Sequence, residues 1–173
     1  SALAYCHEHD VIHRDIKPDN IIIRQSNSEP VLIDFGLVKR GPTALSESLQ
    51  SETLQLSQTG EILGTPFFMS PEQVDSTEEF GPVGPATDIW GLGATLYYCL
   101  TGKPPFNNPN YQGLISELLQ TEPTPIQELS PETPKWVSDF CISCLRKKSS
   151  RRPSLEVILD TVRAPQENRT LPN

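Results

Sequence analysis

The stretch VIHRDIKPDN, residues 11–20, decides how the rest of the chain is interpreted. Polar and conformationally special residues follow a β-branched pair, with two aspartates and an asparagine at fixed offsets. An ordinary surface turn needs only one or two such residues. The pattern therefore indicates that several side chains converge on a highly charged ligand.

The size, composition and charge of the chain restrict its class. Its 173 residues favour one domain with a sizeable core, and a hydrophobic content of 36% indicates a globular chain. A formal net charge of −8 argues against nucleic acid or an anionic membrane surface as the main partner. No apolar run reaches the roughly 18 residues of a spanning helix and no secretory signal is present, so we expect a cytoplasmic protein. The chain starts at Ser1 and its only methionine is Met69, so we also expect it to be part of a longer protein.

The cysteines leave one alternative open. Cys6, Cys99, Cys141 and Cys144 are too few and too irregularly spaced for a secreted disulfide framework. Cys141 and Cys144 form a C-x-x-C pair, which is compatible with a metal or redox site, but no second pair or histidine follows at ligand spacing. The favoured interpretation is that both are buried helical cysteines.

The distribution of proline predicts where helices lie, since proline removes a backbone donor. A first helix should end at the quoted stretch, and an apolar segment predicts a buried central helix over 86–100. Shorter amphipathic helices are expected over 111–120, 135–146 and 154–162.

Two short β-branched segments, 21–24 and 31–34, predict a hairpin directly after the quoted stretch. Such a hairpin would bring its polar ends, Asn20 and Asp34, to one side. Residues 37–64 are rich in Ser, Thr, Gln and Glu with weak periodicity, which predicts a long loop.

The residue types in this region suit phosphoryl transfer to a hydroxyl group. That reaction needs a carboxylate near the hydroxyl, a cation near the transferred group and hard oxygen ligands for a divalent metal. Asp15, Lys17 and Asn20 supply these types within six residues, and Asp34 adds a second oxygen ligand suited to Mg²⁺. Asp15 or Asn20 alone would be interpreted as an ordinary turn residue.

Five motifs in order resemble eukaryotic-like (Hanks-type) serine/threonine protein kinases, specifically the C-terminal lobe of the catalytic domain. HRDIKPDN is similar to the catalytic loop, DFG to the metal-binding motif, GTPFFMSPE to the end of the activation segment, DIWGLG to the start of the central helix, and RRPS to the motif with a late arginine. The resemblance covers residues 1–163 and leaves 164–173 as a polar tail. It implies a mainly α-helical α+β lobe with a small antiparallel hairpin at the catalytic site. The SPEQ sequence is more typical of bacterial members.

The resemblance implies ATP and Mg²⁺ as cofactors and a role for each matching residue. Asp15 would be the base that orients the acceptor hydroxyl, and Lys17, two residues later, would contact the transferring phosphate in the serine/threonine-specific pattern. Asn20 and Asp34 would hold Mg²⁺ between the ATP phosphates.

The resemblance also implies residues that shape the site. Thr65 would bond to Asp15 and Lys17 and help to form the groove for protein substrates bearing Ser or Thr. His13 would bond to the DFG segment, and Asp88 would accept backbone N–H bonds from the catalytic loop. A structural ion pair would join Glu72 to Arg152.

Regulation is expected at Arg14, which would receive a phosphate from the activation loop. Thr59, and after it Ser57, are the predicted phosphorylated residues; a solvated Ser/Thr-rich loop is the alternative. His7 and His9 are expected to be solvated helix residues. Basic residues cluster over 146–152. We favour the interpretation that they interact with the negative end of a helix and that Arg152 pairs with Glu72, over the alternative of an anion site.

The chain departs from the family pattern at its N-terminal side. It has no Gly-rich G-x-G-x-x-G loop, no strand lysine in a V-A-x-K context and no helix glutamate to pair with it. We therefore expect that the N-terminal lobe is missing and that this segment alone transfers phosphate negligibly.

Two rivals to the enzyme remain. One is a pseudokinase or scaffold lobe that binds proteins around 67–72 and 103–122, although the intact Asp15, Asn20 and Asp34 favour the enzyme. A small-molecule phosphotransferase is disfavoured by the long activation segment and the SPE motif.

Overall fold

The computed structural model describes residues 1–35, 66–75 and 77–164, together with the backbone of 55–56 and 62–63. Several predictions fall outside these residues. They concern Gly36 of the DFG motif, Ser57, Thr59, Thr65 and the tail beyond 164.

A β-hairpin follows the quoted stretch, as predicted. Strand β1 (Ile21–Ile23) pairs antiparallel with β2 (Pro30–Leu32), with Ile22 opposite Val31. The pairing continues past the strands, because the N–H of Ile33 donates to the carbonyl of Asn20 at 2.9 Å. The two polar ends of the hairpin, at Asn20 and Asp34, therefore lie side by side.

A second antiparallel pair joins β3 (Gln55–Leu56) to β4 (Ile62–Leu63). The predicted long loop over 37–64 therefore contains a short strand pair that the sequence did not predict. Strands this short carry no periodic hydrophobic signal, so sequence reasoning could not detect them.

The other regular elements of the described chain are helices. Helix α1 (Ala2–Glu8) enters the quoted stretch, and the four predicted helices beyond it are confirmed to within two residues at each end. The helices after the hairpin are α2 (Pro71–Val74), α3 (Pro85–Thr101), α4 (Tyr111–Gln120), α5 (Ile126–Leu129), α6 (Lys135–Cys144) and α7 (Leu155–Arg163). The four-residue helices α2 and α5 were not predicted, since one turn is too short for a helical period. Across the described residues, none of these helices has the length and apolar character to cross a membrane.

Helix α3 is the buried centre of the fold. It begins with Pro85 and ends before Gly102, whose φ of 72° is the left-handed conformation that favours glycine. Trp90 and Ala94 are fully buried, and the Trp90 ring stacks on Phe106 with centroids 6.1 Å apart. The prediction of a buried central helix is confirmed.

Two glycines let other segments approach α3 closely. A Cβ at Gly91 would meet the carbonyl oxygen of Ile16 at 2.8 Å, and one at Gly93 would meet the Cβ of Cys144 at 2.6 Å. Because no side chain fits at either position, the loop of residues 11–17 and helix α6 lie directly against α3. The buried helix thereby fixes where this loop sits.

A buried ion pair joins α2 to the segment before α7. Arg152 Nη1 and Nη2 donate to Glu72 Oε1 and Oε2 at 2.6 and 2.7 Å, and both side chains are fully buried. The guanidinium also donates to three backbone carbonyls, those of Arg146, Lys147 and Ala86. Thr87 donates to Glu72 as well, at 2.9 Å. Every N–H of the guanidinium thus has an acceptor, as a buried charge requires.

Replacing Arg152 by Met is expected to lower the free energy of unfolding by about 3–5 kcal/mol, because Glu72 would remain as a buried charge without a partner. The double variant Glu72→Gln/Arg152→Met removes both charges and should be more stable than the single variant. Urea unfolding measures both.

The control for this experiment is an exposed pair, Lys135 and Asp139, 2.6 Å apart with side chains 83% and 53% exposed. Lys135→Met should cost about 0.5 kcal/mol or less. Equal losses for Arg152→Met and Lys135→Met would contradict the tethering role of the buried pair.

Candidate active site

Asp88 on α3 holds the loop of residues 11–17 by its backbone. Its carboxylate is 1% exposed and accepts from the N–H of His13 at 3.0 Å and of Arg14 at 2.7 Å. Arg14 has a φ of 67°, a left-handed conformation that costs a non-glycine residue about 1–2 kcal/mol. The two charge-assisted bonds offset this cost and fix the two peptides that lead into Arg14, the residue before Asp15.

His7 also contacts this carboxylate, which sequence reasoning missed. Its Nε2 donates to Asp88 Oδ2 at 2.8 Å, and its side chain is 12% exposed. The prediction that His7 is a solvated helix residue is therefore wrong. His9 is exposed, as expected, and its ring bonds to the carbonyl of Tyr5. Asp88 lies 81 residues from His7 in the chain, so no local pattern could reveal the pair.

His13 connects the loop to the segment that carries Asp34. Its ring is fully buried, its Nδ1 accepts from the N–H of Asp15 at 3.3 Å, and its Nε2 lies 3.0 Å from the carbonyl oxygen of Ile33. A backbone N–H only donates and a carbonyl only accepts, so the proton of the ring is on Nε2. The ring also packs on Phe35, with centroids 4.8 Å apart.

Asp15, Lys17 and Asn20 meet in one network. Oδ2 of Asp15 accepts from Lys17 Nζ at 2.8 Å and from Asn20 Nδ2 at 2.9 Å. Asn20 Nδ2 also donates to the backbone carbonyl of Asp15 at 2.8 Å. Because both partners of the amide nitrogen only accept, the amide orientation is fixed, and Asn20 Oδ1 is the atom that can ligate a cation.

Asp34 is placed beside Asn20 by the backbone of the hairpin. It follows Ile33, whose N–H is bonded to the carbonyl of Asn20, so it arrives beside Asn20. Its side chain is exposed and its φ of 59° is again left-handed. Backbone strain of this kind concentrates at functional sites.

The basic residues near Arg152 do not converge on one point. Lys147 donates to the carbonyl of Leu118 in the last turn of α4, and its Nζ lies 4.0 Å from the Phe106 ring centroid. Burial lowers the pKa of Lys147 to about 8. Arg146, Lys148 and Arg151 are exposed. The Arg152 tether is confirmed, and helix-end charge stays the favoured interpretation of the other basic residues.

The C-x-x-C pair is buried. Cys141 and Cys144 are fully buried on α6, and the Cys141 thiol donates to the carbonyl of Gly93. Burial raises the pKa of both thiols, that of Cys144 to about 12. Within the described part of the chain, no group of three or more His, Cys, Asp or Glu side chains could hold a metal ion. The prediction of buried helical cysteines is confirmed.

Comparison with known proteins identifies similar sequences over most of the chain. The family model described as "Protein kinase domain" matches residues 1–162. The DNA damage-responsive serine/threonine-protein kinase RqkA of Deinococcus radiodurans is 36% identical over 153 residues, which is 88% of this chain and 21% of that protein.

Other relatives are bacterial and mammalian. Serine/threonine-protein kinase PkaA of Streptomyces coelicolor is 32% identical over 90% of this chain and 26% of its own length. Human serine/threonine-protein kinase TAO2 is 34% identical over 91% of this chain and 11% of its own length. The chain thus spans about a quarter or less of these relatives. Since both groups match at similar identity, the bacterial origin stays a prediction.

Thiol labelling separates the two interpretations of the cysteine pair. With iodoacetamide at pH 7.5 we expect rapid modification of the exposed Cys99 and none of Cys141 or Cys144, because their raised pKa values leave almost no thiolate. Mass spectrometry of tryptic peptides measures this, with urea-unfolded protein as the fully reactive control. Labelling of Cys141 and Cys144 as fast as Cys99, suppressed by added zinc, would support a metal site instead.

Proposed function

This chain belongs to the protein kinase family, and we propose on that premise that it transfers the γ-phosphate of ATP to Ser and Thr hydroxyls of proteins. In this proposal residues 1–163 are the C-terminal lobe of the catalytic domain and 164–173 are a polar tail. The single observation that carries the proposal is the network in which Lys17 and Asn20 both bond to one oxygen of Asp15.

Asp15 is the proposed catalytic base. Its Oδ2 is held by two donors, so Oδ1 is the oxygen that accepts the hydroxyl of the substrate. As the hydroxyl oxygen bonds to the γ-phosphorus and the bond from that phosphorus to the β–γ bridging oxygen breaks, the hydroxyl proton passes to Asp15. The carboxylate is 23% exposed, which leaves it open to a peptide.

Asn20, Asp34 and Lys17 are the proposed cofactor residues. Asn20 and Asp34 would hold Mg²⁺ through one amide oxygen and one carboxylate, which are ligand types that suit this ion. When bound, Mg²⁺ neutralises the ATP phosphates and orients the transferred group. The ammonium group of Lys17 lies 2.8 Å from Asp15. Its side chain is 19% exposed, so it can rotate towards the transferred phosphate.

Activation is proposed to act through Arg14. Its Nε is buried and has no hydrogen-bond partner among the described residues. This suits a guanidinium that donates hydrogen bonds to a phosphate. We propose Thr59, and after it Ser57, as the phosphorylated residues. Thr65 is proposed to bond to Asp15 and Lys17 and to shape the substrate groove.

An N-terminal lobe in a longer protein is proposed to complete the nucleotide site. The sequence has no Gly-rich loop to cover phosphates, and the hairpin exposes apolar side chains beside the site: Ile22, Ile23 and Phe35 are 51%, 57% and 41% exposed. A lobe packed there would bury this surface. Without that N-terminal lobe, the C-terminal lobe in residues 1–163 is proposed to transfer phosphate negligibly. The kinase lobe is proposed to act in the cytoplasm.

A binding module is the second candidate. A cavity of about 400 Å³ lies between the end of α3, the 103–107 segment and α4, and its lining overlaps the 103–122 part of the region predicted for docking. It is lined by carboxylates and apolar rings, including Glu117, Glu122 and Phe106. A scaffold would use this surface and would not depend on Asp15.

Asp15→Asn tests the proposed function in the longer protein that contains this chain. We expect kcat for a Ser/Thr peptide to fall by about 10²–10⁴-fold, because the general base is lost, with little change in KM for ATP. Radiolabelled phosphate transfer measures both. The matched control is Asp19→Asn, an exposed carboxylate of the same motif, which should leave kcat unchanged. Equal kcat values for the two variants would overturn the proposal and favour the binding module.

Phosphopeptide mapping of the active longer protein is expected to find phosphate on Thr59, and less on Ser57. Thr59→Ala and Arg14→Gln should then lower kcat by similar factors, and their double variant should cost no more than either, because both break one contact. An active enzyme whose residues 37–64 carry no phosphate would contradict this regulation while leaving the catalytic proposal intact.

A further inference from the structure

Gln73 lies on α2, directly after Glu72 of the buried ion pair, and both ends of its amide are bonded. Nε2 donates to the backbone carbonyl of Arg14 at 2.7 Å. Oε1 accepts from the N–H of Ser70 at 3.0 Å and from its hydroxyl at 3.1 Å. The side chain is 9% exposed, and its orientation is fixed because the carbonyl of Arg14 only accepts and the N–H of Ser70 only donates.

This bond completes a clamp on one residue. The N–H of Arg14 is held by Asp88 on α3 and its carbonyl by Gln73 on α2. Arg14 sits in the left-handed region at a φ of 67°, and its carbonyl belongs to the peptide bond that leads into Asp15. Rotation of that peptide, whose N–H donates to the His13 ring at 3.3 Å, would swing the Asp15 carboxylate. Its direction is therefore set by Gln73 and His13 on this peptide and by Asp88 on the peptide before it.

We propose that Gln73 is a positioning residue for phosphoryl transfer, which couples the placement of α2 to the direction of the Asp15 carboxylate through the Arg14 carbonyl. The inference rests on the proposed function and deepens it. The ion pair of Glu72 with Arg152 fixes the position of α2. Gln73, the next residue, bonds α2 to the loop of residues 11–17. Gln73 does not contact substrate; it acts only through Arg14.

Glutamine is the residue type that can do this. Its amide donates to Arg14 and accepts from Ser70 at the same time. A carboxylate of the same length keeps the acceptor for Ser70 but places an oxygen opposite the Arg14 carbonyl. Two acceptors cannot bond, so the clamp opens while the packing volume is kept.

The test uses the longer protein that contains this chain, with peptide phosphorylation as the assay. For Gln73→Glu we expect kcat to fall 10- to 100-fold with KM for ATP within twofold of the parent. The deficit relative to the parent should shrink as the pH is lowered from 8 to 5.5, because a protonated carboxyl donates to Arg14 again. Urea unfolding of Gln73→Glu at each pH separates this recovery of kcat from a recovery of the folded fraction.

Two further variants keep the test decisive. Gln73→Met retains the volume without either polar end, so it should lower kcat to the same extent with no recovery at low pH, even if Gln73→Glu fails to fold. Ser70→Ala removes one bond to Oε1 but leaves the bond to Arg14, and it should keep kcat within twofold. Parent-like kcat in Gln73→Met would overturn the inference.

The outcome is separable from that of the proposed function. If Asp15→Asn abolishes transfer while Gln73→Met retains it, only the positioning role fails. If Asp15→Asn retains transfer, the proposed function fails first.

Discussion

The site depends on one buried carboxylate, that of Asp88 in the first turn of α3. Burying a carboxylate is costly unless donors surround it, and here two backbone N–H groups and the His7 ring supply them. The N-terminal end of α3 adds a favourable field for negative charge. Because the donors belong to the loop and to α1, satisfying this one charge fixes both against the centre of the fold.

A second buried charge organises the other side of the site. Glu72 and Arg152 leave no polar group of the pair unsatisfied, and Gln73 beside them bonds to the Arg14 carbonyl. The peptide before Arg14 is therefore held from α3 and the peptide after it from α2. A strained conformation such as that of Arg14 persists only where its surroundings determine it this strongly.

The hydrogen-bond partners of His13 and Asn20 also determine which of their side-chain atoms donate and which accept. The His13 ring must carry its proton on Nε2, and Asn20 must turn its amide nitrogen to Asp15. The proposed function assigns the remaining oxygen of Asp15 to the substrate and that of Asn20 to the metal. In the proposed function, side chains that are already held by these hydrogen bonds lower the reorganisation that the reaction requires.

The sequence by itself determined the central helix, the hairpin, the main amphipathic helices and the residues that meet around Asp15, because periodicity, proline placement and a dense local motif are encoded by neighbours in the chain. The tertiary structure alone decided that His7 bonds to Asp88, that Gln73 bonds to Arg14, that Lys147 caps α4 and that 55–56 pairs with 62–63. His7 and Asp88 lie 81 residues apart, and Arg14 and Gln73 lie 59 apart. Such bonds form only after packing brings distant segments within about 3 Å of each other. The partner of a buried polar group is therefore determined by its neighbours in space and not by its neighbours in the sequence.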